Sequence, residues 1–254
     1  MTDAHEFMGR VALVTGASRG IGLAIARRLA AGGARVCMTA RRADALEDAV
    51  ATLPGGSAIG VAGAADDPAH RQAVFSRIAE VFGRIDVLVN NAGINPVHGP
   101  TLAIDPEAAR KIFEVNVVGT LAWTQAAVAS GLGDHPGASV VNLASVAGIV
   151  PSPGIGMYGV SKAAVAHLTR TLGVELAPGI RVNAVAPAVV KTRFARALYE
   201  GREEEVAATY PAGRLGTPED VAEAVAYLAS PRAAWVTAQV LTLDGGLLTA
   251  GGTA

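Results

Sequence analysis

Several features that mark particular protein classes are missing from this sequence of 254 residues. Its single cysteine, Cys37, cannot form an internal disulfide, and the apolar run around it predicts a buried thiol in a reducing compartment. Charged residues are only 17% of the chain, the net charge is -1, and no run of Lys or Arg occurs. Binding to nucleic acid depends on concentrated positive charge, so we expect no nucleic-acid partner. The five histidines show no metal-ligand spacing, which predicts that no metal is used.

Membrane and targeting signals are missing too. No uninterrupted apolar run reaches the about 18 residues of a membrane span, so we expect no membrane partner. The N-terminus, residues 1–6, is acidic and has neither the cationic start nor the apolar centre of a secretion signal. The C-terminus, residues 252–254, is not a peroxisomal tripeptide. These observations predict a cytoplasmic protein.

The first part of the chain is typical of a βαβ unit. The buried strands predicted at 11–15 and 35–40 flank a helical pattern at 23–30, which ends at a Gly-Gly pair. Between the first strand and the helix lies the glycine turn 16–22, with the spacing G-x-x-x-G-x-G. Glycines let another backbone approach closely, and a helix N-terminus offers free N–H groups to a phosphate. The turn therefore favours binding of a dinucleotide.

The end of the second strand indicates which dinucleotide binds. An acidic residue there would bind the ribose 2′-hydroxyl of NAD, but this chain has Ala40, Arg41 and Arg42, with Arg19 in the glycine turn. Guanidinium groups suit the 2′-phosphate, so we predict NADP(H). For Arg42, an orientation toward solvent is an equally good interpretation.

Strand and helix patterns alternate along the rest of the chain. Further strands are predicted at 58–62, 86–89, 138–143, 180–185 and 240–243, and further helices at 43–53, 68–82, 106–131, 157–176 and 219–229. This alternation predicts an α/β fold, a single doubly wound Rossmann-type domain with a parallel seven-stranded sheet and helices on both faces. Within the single domain 1–254, residues from about 8 to 145 would form the NADP-binding half, and those from about 145 to 254 the catalytic and substrate half.

Tyr158 and Lys162 lie four residues apart, on one face of a predicted helix. A free phenol has a pKa of about 10, and an ammonium one turn away would lower it. The pair is thus a candidate acid/base catalyst. By itself the spacing is more typical of a solvated helix face.

Motifs along nearly the whole length of the chain resemble those of the short-chain dehydrogenase/reductase family. The matching residues are Thr15-Gly16-x-x-x-Gly20-x-Gly22, Asn90-Asn91-Ala92-Gly93, Asn116, Ser145, Tyr158-x-x-x-Lys162, the stretch 213–220 and Asp244-Gly245-Gly246. Together, in this order, they favour a catalytic Tyr158 over a surface one.

The resemblance implies a role for each matching residue. Tyr158 would protonate a substrate carbonyl, Lys162 would lower the Tyr158 pKa and hold the nicotinamide ribose, and Ser145 would hydrogen-bond the carbonyl oxygen. Asn116 would hold a water that links Lys162 to solvent. The implied cofactor-binding residues are Gly16, Ser18, Arg19, Gly20, Ile21, Arg41, Asn90, Ala92, Gly93, Tyr158, Lys162, Pro187, Val190 and Thr192.

Three positions depart from the family's usual pattern. Ala188 and Ala238 stand where glycine is usual, so either these sites use ordinary dihedral angles or the local backbone shifts. The stretch 63–66, Gly-Ala-Ala-Asp, replaces the usual Asp-Val near the adenine, and no adenine-binding Asp is inferred.

The predicted substrate site is apolar. Its expected borders are residues 94–98, 146–157 and 194–210. The segment after Pro187 is expected to be a mobile lid. The apolar side chains there are Ile149, Val150, Pro151, Ile155, Met157, Phe194, Leu198 and Tyr199.

Two groups within the family compete. The chain resembles 3-oxoacyl-carrier-protein reductases, and it also resembles NADPH-dependent carbonyl and retinal reductases through Asn95-Pro96 and 152–154. An acidic carrier protein calls for basic residues near the site, and 117–137 has none, which favours a free apolar ketone or aldehyde. A non-catalytic dinucleotide sensor is the alternative of another class. By resemblance we also expect a homotetramer.

Overall fold

The computed structural model of the protein describes residues 5–252. The predictions drawn from the two termini therefore lie partly outside the described residues. The strands are β1 (Val11–Thr15), β2 (Arg35–Ala40), β3 (Ala58–Ala62), β4 (Val87–Asn90), β5 (Ala138–Leu143), β6 (Ile180–Pro187) and β7 (Val240–Leu243). The helices are α1 (Gly20–Ala31), α2 (Ala43–Ala51), α3 (Pro68–Phe82), α4 (Pro106–Phe113), α5 (Gly119–Ala129), α6 (Gly156–Glu175), α7 (Glu203–Ala208) and α8 (Pro218–Ala229).

The seven strands form one parallel sheet in the order β3-β2-β1-β4-β5-β6-β7, which confirms the predicted fold. Successive side chains of a strand point to opposite faces of the sheet, and both faces are covered by helices. In β1, Ala12 and Val14 pack in the core that holds α1, α2 and α8. Val11 and Leu13 pack in the core that holds α3, α5 and α6. This two-sided burial is why the strands are continuous apolar runs.

The helix predicted at 106–131 is interrupted. A π-helical segment, Glu114–Val118, separates α4 from α5, and the helix ends at Ala129. Side-chain hydrogen bonds are made at this turn: the Thr120 hydroxyl donates to Asn116 O at 2.7 Å, and the Asn116 side-chain amide donates to Ile94 O. A π-helical turn of this kind is common at functional sites.

The same helical stretch bears on the expectation that no segment of the chain spans a membrane. Pro106–Ala129 is long and apolar enough to cross a membrane by length and composition, although no uninterrupted apolar run of that length exists. This criterion is weak evidence, because core helices of other proteins meet it as well. α5 contributes Trp123 and Ala127 to the core beneath the sheet.

The two alanines in place of glycine behave differently. Ala238 adopts φ 60°, in the left-handed region, whereas Ala188 has no positive φ. Gly173 faces Ala238 closely, since a Cβ at Gly173 would lie 2.7 Å from the Ala238 backbone. Of the two expected outcomes, ordinary dihedral angles are therefore found at Ala188 and not at Ala238. Cys37 is buried as predicted, and burial raises the pKa of its thiol to about 12.

Candidate active site

The carboxyl ends of β4, β5 and β6 bring the four predicted catalytic residues to one edge of the sheet. Ser145 follows β5, Tyr158 and Lys162 stand on α6, and Asn116 occupies the π-helical turn. α6 begins at Gly156, so Tyr158 lies in its first turn and Lys162 in its second. The spacing of four residues places both side chains on the face of α6 that is directed at the sheet.

Lys162 is the more deeply buried of the two. It is 4% exposed, and its Nζ donates a hydrogen bond to Leu143 O at 2.6 Å. The same Nζ lies 5.6 Å from the centre of the Tyr158 ring. A Cβ at Gly93 would lie 3.4 Å from Nζ and 3.3 Å from Asn116 Oδ1, so the absence of a side chain there leaves room beside the lysine.

Burial shifts both pKa values in the direction of the neutral forms. It lowers the pKa of Lys162 to about 8, because a buried ammonium loses hydration. It raises the pKa of Tyr158 to about 12, and the hydroxyl of Ser145 partly opposes that rise. The expected lowering of the phenol pKa by Lys162 is therefore wrong for this structure, since burial has the larger effect. The pair consists of a neutral phenol and a lysine with a pKa of about 8.

Ser145 is fixed by the chain on both sides. Its Oγ accepts a hydrogen bond from Ala147 N at 3.2 Å and donates to Pro187 O at 3.4 Å. Ser145 caps a short 3-10 turn, Val146–Gly148, which packs on α6. A Cβ at Gly148 would lie 2.6 Å from Ala163 N, so only glycine permits this close approach of the turn to the helix.

Asn116 is completely buried, and both polar atoms of its side-chain amide make hydrogen bonds. Oδ1 accepts from Ile94 N at 2.8 Å, while Nδ2 donates to Ile94 O and to Ser161 Oγ, both at 3.0 Å. The Ser161 hydroxyl donates in turn to Tyr158 O at 2.7 Å. Ser161 thus joins the π-helical turn to the helix of Tyr158. Sequence reasoning missed this residue, although its position beside Lys162 was a signal that could have found it.

Asn90 and Asn91 serve the structure around the site. The Asn90 amide nitrogen donates to Asn142 Oδ1 at 2.9 Å, and its side chain lies below the site in a buried polar network with Thr124. Asn91 holds the glycine turn, since its Nδ2 donates to Thr15 O and to Gly16 O at 2.8 and 3.0 Å. The cofactor contact predicted for Asn90 stays a prediction, and its side-chain nitrogen is already engaged in this network.

The glycine turn forms an open cradle at the start of α1. Gly16 and Gly20 have φ of 65° and 55°, and a Cβ at Gly16 would lie 3.0 Å from Ala92 Cα. No side chain caps α1, whose N-cap is the exposed Arg19, so the first N–H groups of the helix are available to an anion. Thr192 closes the cradle from the other side, with its Cγ2 3.4 Å from a Cβ placed at Gly20.

Comparison with known proteins agrees with this geometry. The family profile described as enoyl-(acyl carrier protein) reductase matches residues 16–248. The chain is 39% identical to human dehydrogenase/reductase SDR family member 4 over 97% of this chain and 90% of the relative. It is 36% identical to the Caenorhabditis elegans protein of the same name, over 97% and 98%. The chain belongs to the short-chain dehydrogenase/reductase family.

Solved structures of the family share the fold closely. A short-chain dehydrogenase/reductase described as glucose/ribitol dehydrogenase from Brucella melitensis superposes with a TM-score of 0.91 at 31% identity, covering 96% of this chain and 98% of that one. A putative gluconate dehydrogenase from Agrobacterium tumefaciens gives 0.90 at 28% identity, covering 97% and 98%.

Short-chain dehydrogenases/reductases use a nicotinamide dinucleotide, and the residues here fit one. The glycine cradle would hold its pyrophosphate on the N-terminus of α1. Ser18, Arg19 and Ile21 lie in that turn, and Gly93 leaves space next to Lys162. Pro187 ends β6, and Val190 and Thr192 follow it on the opposite side of the cradle.

The cationic end of the cradle consists of exposed arginines. Arg19 and Arg41 are exposed, at the glycine turn and directly after β2. Arg42 is bound to Asp44, with Nε donating to Oδ1 at 3.1 Å, and its side chain is 74% exposed, which confirms the interpretation that it points to solvent. Among residues 5–252, no group of three or more His, Cys, Asp or Glu is placed to hold a metal ion.

Apolar side chains surround the approach to Tyr158. The Phe194 ring lies 6.1 Å from the Tyr158 ring and is 58% exposed, and Ile149 is 50% exposed. The two loops that border the site are joined by a hydrogen bond from Gly99 N to Gly154 O at 2.9 Å. His98 packs on Gly154 in the same contact.

Proposed function

We propose that the protein is an NADP(H)-dependent oxidoreductase that interconverts a carbonyl group and an alcohol. The observation that carries the proposal is the convergence of Ser145, Tyr158 and Lys162 beside the glycine cradle. Ser145 follows β5, whereas Tyr158 and Lys162 stand on α6, and the Ser145 hydroxyl lies within hydrogen-bond reach of the phenol. The class of enzyme follows from the family, and the roles below are part of the proposal.

The bound dinucleotide would supply hydride to the carbonyl carbon during reduction and accept it during oxidation. Ser145 hydrogen-bonds the carbonyl oxygen and stabilises the negative charge that develops there. Tyr158, whose raised pKa keeps it protonated, donates its proton to that oxygen, which completes the alcohol. Lys162, with a pKa of about 8, then returns a proton toward the phenolate. Asn116 holds the water that resupplies Lys162.

Selection of NADP over NAD is supported by charge. Arg19 and Arg41 stand exposed where the 2′-phosphate would lie, and β2 ends in Ala40 rather than an acidic residue. A guanidinium group binds a phosphate through charge-assisted hydrogen bonds and has no comparable interaction with a free hydroxyl.

An apolar ketone or aldehyde is the substrate we propose. Phe194 and Ile149 expose apolar surface at the approach to Tyr158. The alternative substrate is a 3-oxoacyl group on a carrier protein. The description of the matching family profile mentions an acyl carrier protein, although with an enoyl and not a 3-oxoacyl group. Residues 117–137, however, contain no Lys or Arg to bind an acidic carrier. A non-catalytic sensor has no use for the intact set of Asn116, Ser145, Tyr158 and Lys162.

The test is turnover, followed by nicotinamide absorbance, with NADPH and NADH in parallel. The panel contains a 3-oxoacyl thioester, an aromatic diketone, a retinoid aldehyde and a simple ketone. We expect turnover with NADPH that falls roughly 10²- to 10⁴-fold in Tyr158→Phe. Tyr227→Phe is the matched control, because Tyr227 lies on α8 and is 38% exposed.

Each alternative has its own outcome in that experiment. Preference for NADH would refute the assignment of Arg19 and Arg41. A best rate with the 3-oxoacyl thioester would select the carrier-protein alternative. Tight NADPH binding without turnover of any substrate would favour the sensor.

Assembly as a homotetramer is supported by exposed apolar residues on two surfaces. Val128 and Val160 are 38% and 52% exposed on α5 and α6. Val174, Trp235 and Leu241, near the edge strand β7, are 73%, 100% and 39% exposed. Light scattering after size exclusion should give a mass of four chains, and Trp235→Glu should reduce it. A cytoplasmic location is likewise proposed, from the sequence alone, and cell fractionation tests it.

A further inference from the structure

The loop at the end of β6 is a part of the proposed cofactor site that is mostly without regular structure. It runs from Pro187, the last residue of β6, to Thr192 and carries three of the residues assigned to the nicotinamide end. A short parallel bridge is one of its contacts: Gly216 N donates to Val189 O at 3.1 Å, and Lys191 N donates to Gly216 O at 2.9 Å. Ala188 N donates to Leu243 O at 3.0 Å, and the Val190 side chain is buried in the core. The position of the loop therefore depends on a few individual contacts.

Tyr210 makes one of these contacts from behind the loop. Its hydroxyl oxygen accepts a hydrogen bond from Val189 N at 3.3 Å. Tyr210 is 5% exposed, and its ring is fixed in a small apolar cluster with Leu215 and Leu247. Burial is the main cause that raises the pKa of Tyr210, so the phenol remains neutral and its oxygen remains an acceptor over the usual range of pH.

A cavity of about 330 Å³ lies on the same side of the loop. It is lined by Ala188, Val189, Val190 and Tyr210 together with the turn after β7 at Asp244 and Gly245. Ala188 and Val189 contact the cluster of Tyr210, but the cavity leaves the packing beside them incomplete, so the loop has room to move away from the cofactor cradle. The hydrogen bond from Val189 to Tyr210 joins two residues of the cavity lining.

We propose that Tyr210 is a positioning residue that holds the Pro187–Thr192 loop in the conformation that binds the nicotinamide end of the cofactor. The inference rests on the proposed function, because the nicotinamide contacts of Pro187, Val190 and Thr192 are part of that proposal. Tyr210 touches neither the cradle nor Tyr158 and acts through the backbone of Val189. Sequence reasoning gave this residue no role beyond the end of the segment 194–210.

The test separates the two ends of the cofactor. Tyr210→Phe keeps the ring in its cluster and removes the acceptor, so Val189 N loses its partner. We expect the Kd for NADPH to rise roughly 3- to 10-fold, the effect of one hydrogen bond. The Kd for 2′-phospho-ADP-ribose, which has no nicotinamide, should not change. KM for NADPH should rise more than kcat falls.

Tyr227→Phe is the matched control and should leave both dissociation constants unchanged. Equal weakening of both ligands in Tyr210→Phe, or no weakening of either, would overturn the inference. Loss of folding in so conservative a variant would overturn it as well, since the hydroxyl would then support the fold rather than the loop. If the wild type binds no nicotinamide dinucleotide or reduces no carbonyl, the proposed function has failed, independently of Tyr210.

Discussion

One substitution made at two positions should change stability in opposite directions. Ala188 and Ala238 both stand where the family usually has glycine, yet only Ala238 has a left-handed backbone, with φ 60°. An alanine in that region costs about 1–2 kcal/mol, because its Cβ crowds the following carbonyl oxygen. Ala238→Gly removes this cost and adds about 0.4–1 kcal/mol of chain entropy to the unfolded state. The net gain is about 0.5–1 kcal/mol.

Ala188→Gly relieves no strain and only increases the chain entropy of the unfolded state. Ala188 has no positive φ, and its N donates to Leu243 O at 3.0 Å, in a backbone that alanine adopts without strain. We expect a loss of about 0.4–1 kcal/mol from the free energy of unfolding. For a chain of this size, about 1 kcal/mol corresponds to roughly 2–4 °C in Tm.

Urea unfolding and thermal denaturation of the two variants and the wild type measure the difference. Ala238→Gly should unfold at higher urea concentration than the wild type, and Ala188→Gly at lower, with the same m-value. If Ala238→Gly is destabilised as much as Ala188→Gly, the left-handed strain at Ala238 does not exist. Gly173→Ala completes the set and should be destabilised, because its Cβ would lie 2.7 Å from the Ala238 backbone.

Three further predictions concern the core and the site. Trp123→Ala should reduce the free energy of unfolding by about 3–5 kcal/mol, because Trp123 is 2% exposed and its Nε1 donates to Ala65 O. Phe194 is exposed, so Phe194→Ala should change this free energy by only about 0.5 kcal/mol, and equal losses in urea unfolding would contradict the prediction. Gly148→Ala should lower kcat at least about tenfold, with a smaller effect on cofactor affinity. The added Cβ would lie 2.6 Å from Ala163 N and displace the turn that Ser145 caps, whereas an unchanged kcat would show that the turn can adapt. Burial lowers the pKa of Lys162 to about 8 from 10.5, so its charge destabilises the fold below pH 8, and this destabilisation is lost as the pH rises to about 10.5. The stability advantage of Lys162→Met over the wild type should therefore fall by about 3 kcal/mol between pH 7 and 10. A difference that does not depend on pH would refute the shift.

Local patterns were sufficient for the architecture. The apolar runs of β1 and β2 and the glycine turn between β1 and α1 specify their own conformation, because strand burial, helix propensity and positive φ act over a few residues. The motif of Tyr158 and Lys162 was likewise readable, because four residues make one turn of helix. The handedness of the connections between parallel strands limits the possible strand orders, and the structure gives the one that occurs.

The pKa values of the site could not be predicted from the sequence. The sequence placed an ammonium beside a phenol and predicted a lowered phenol pKa, whereas the structure buries both groups and raises that of Tyr158 to about 12. Burial depends on which segments pack above α6, and those segments come from distant parts of the chain. The same reason hid Ser161, whose hydroxyl meets Asn116 across 45 residues of sequence.

By itself, then, the sequence determined the family, the order of the elements and the residues at the carboxyl edge of the sheet, since each depends on local spacing. Only the tertiary structure decided that Asn90 supports the site from below, that Ala238 is left-handed against Gly173, and that Tyr210 reaches Val189. Each of these is a contact between segments far apart in the chain, and its geometry is fixed by packing that no local pattern encodes.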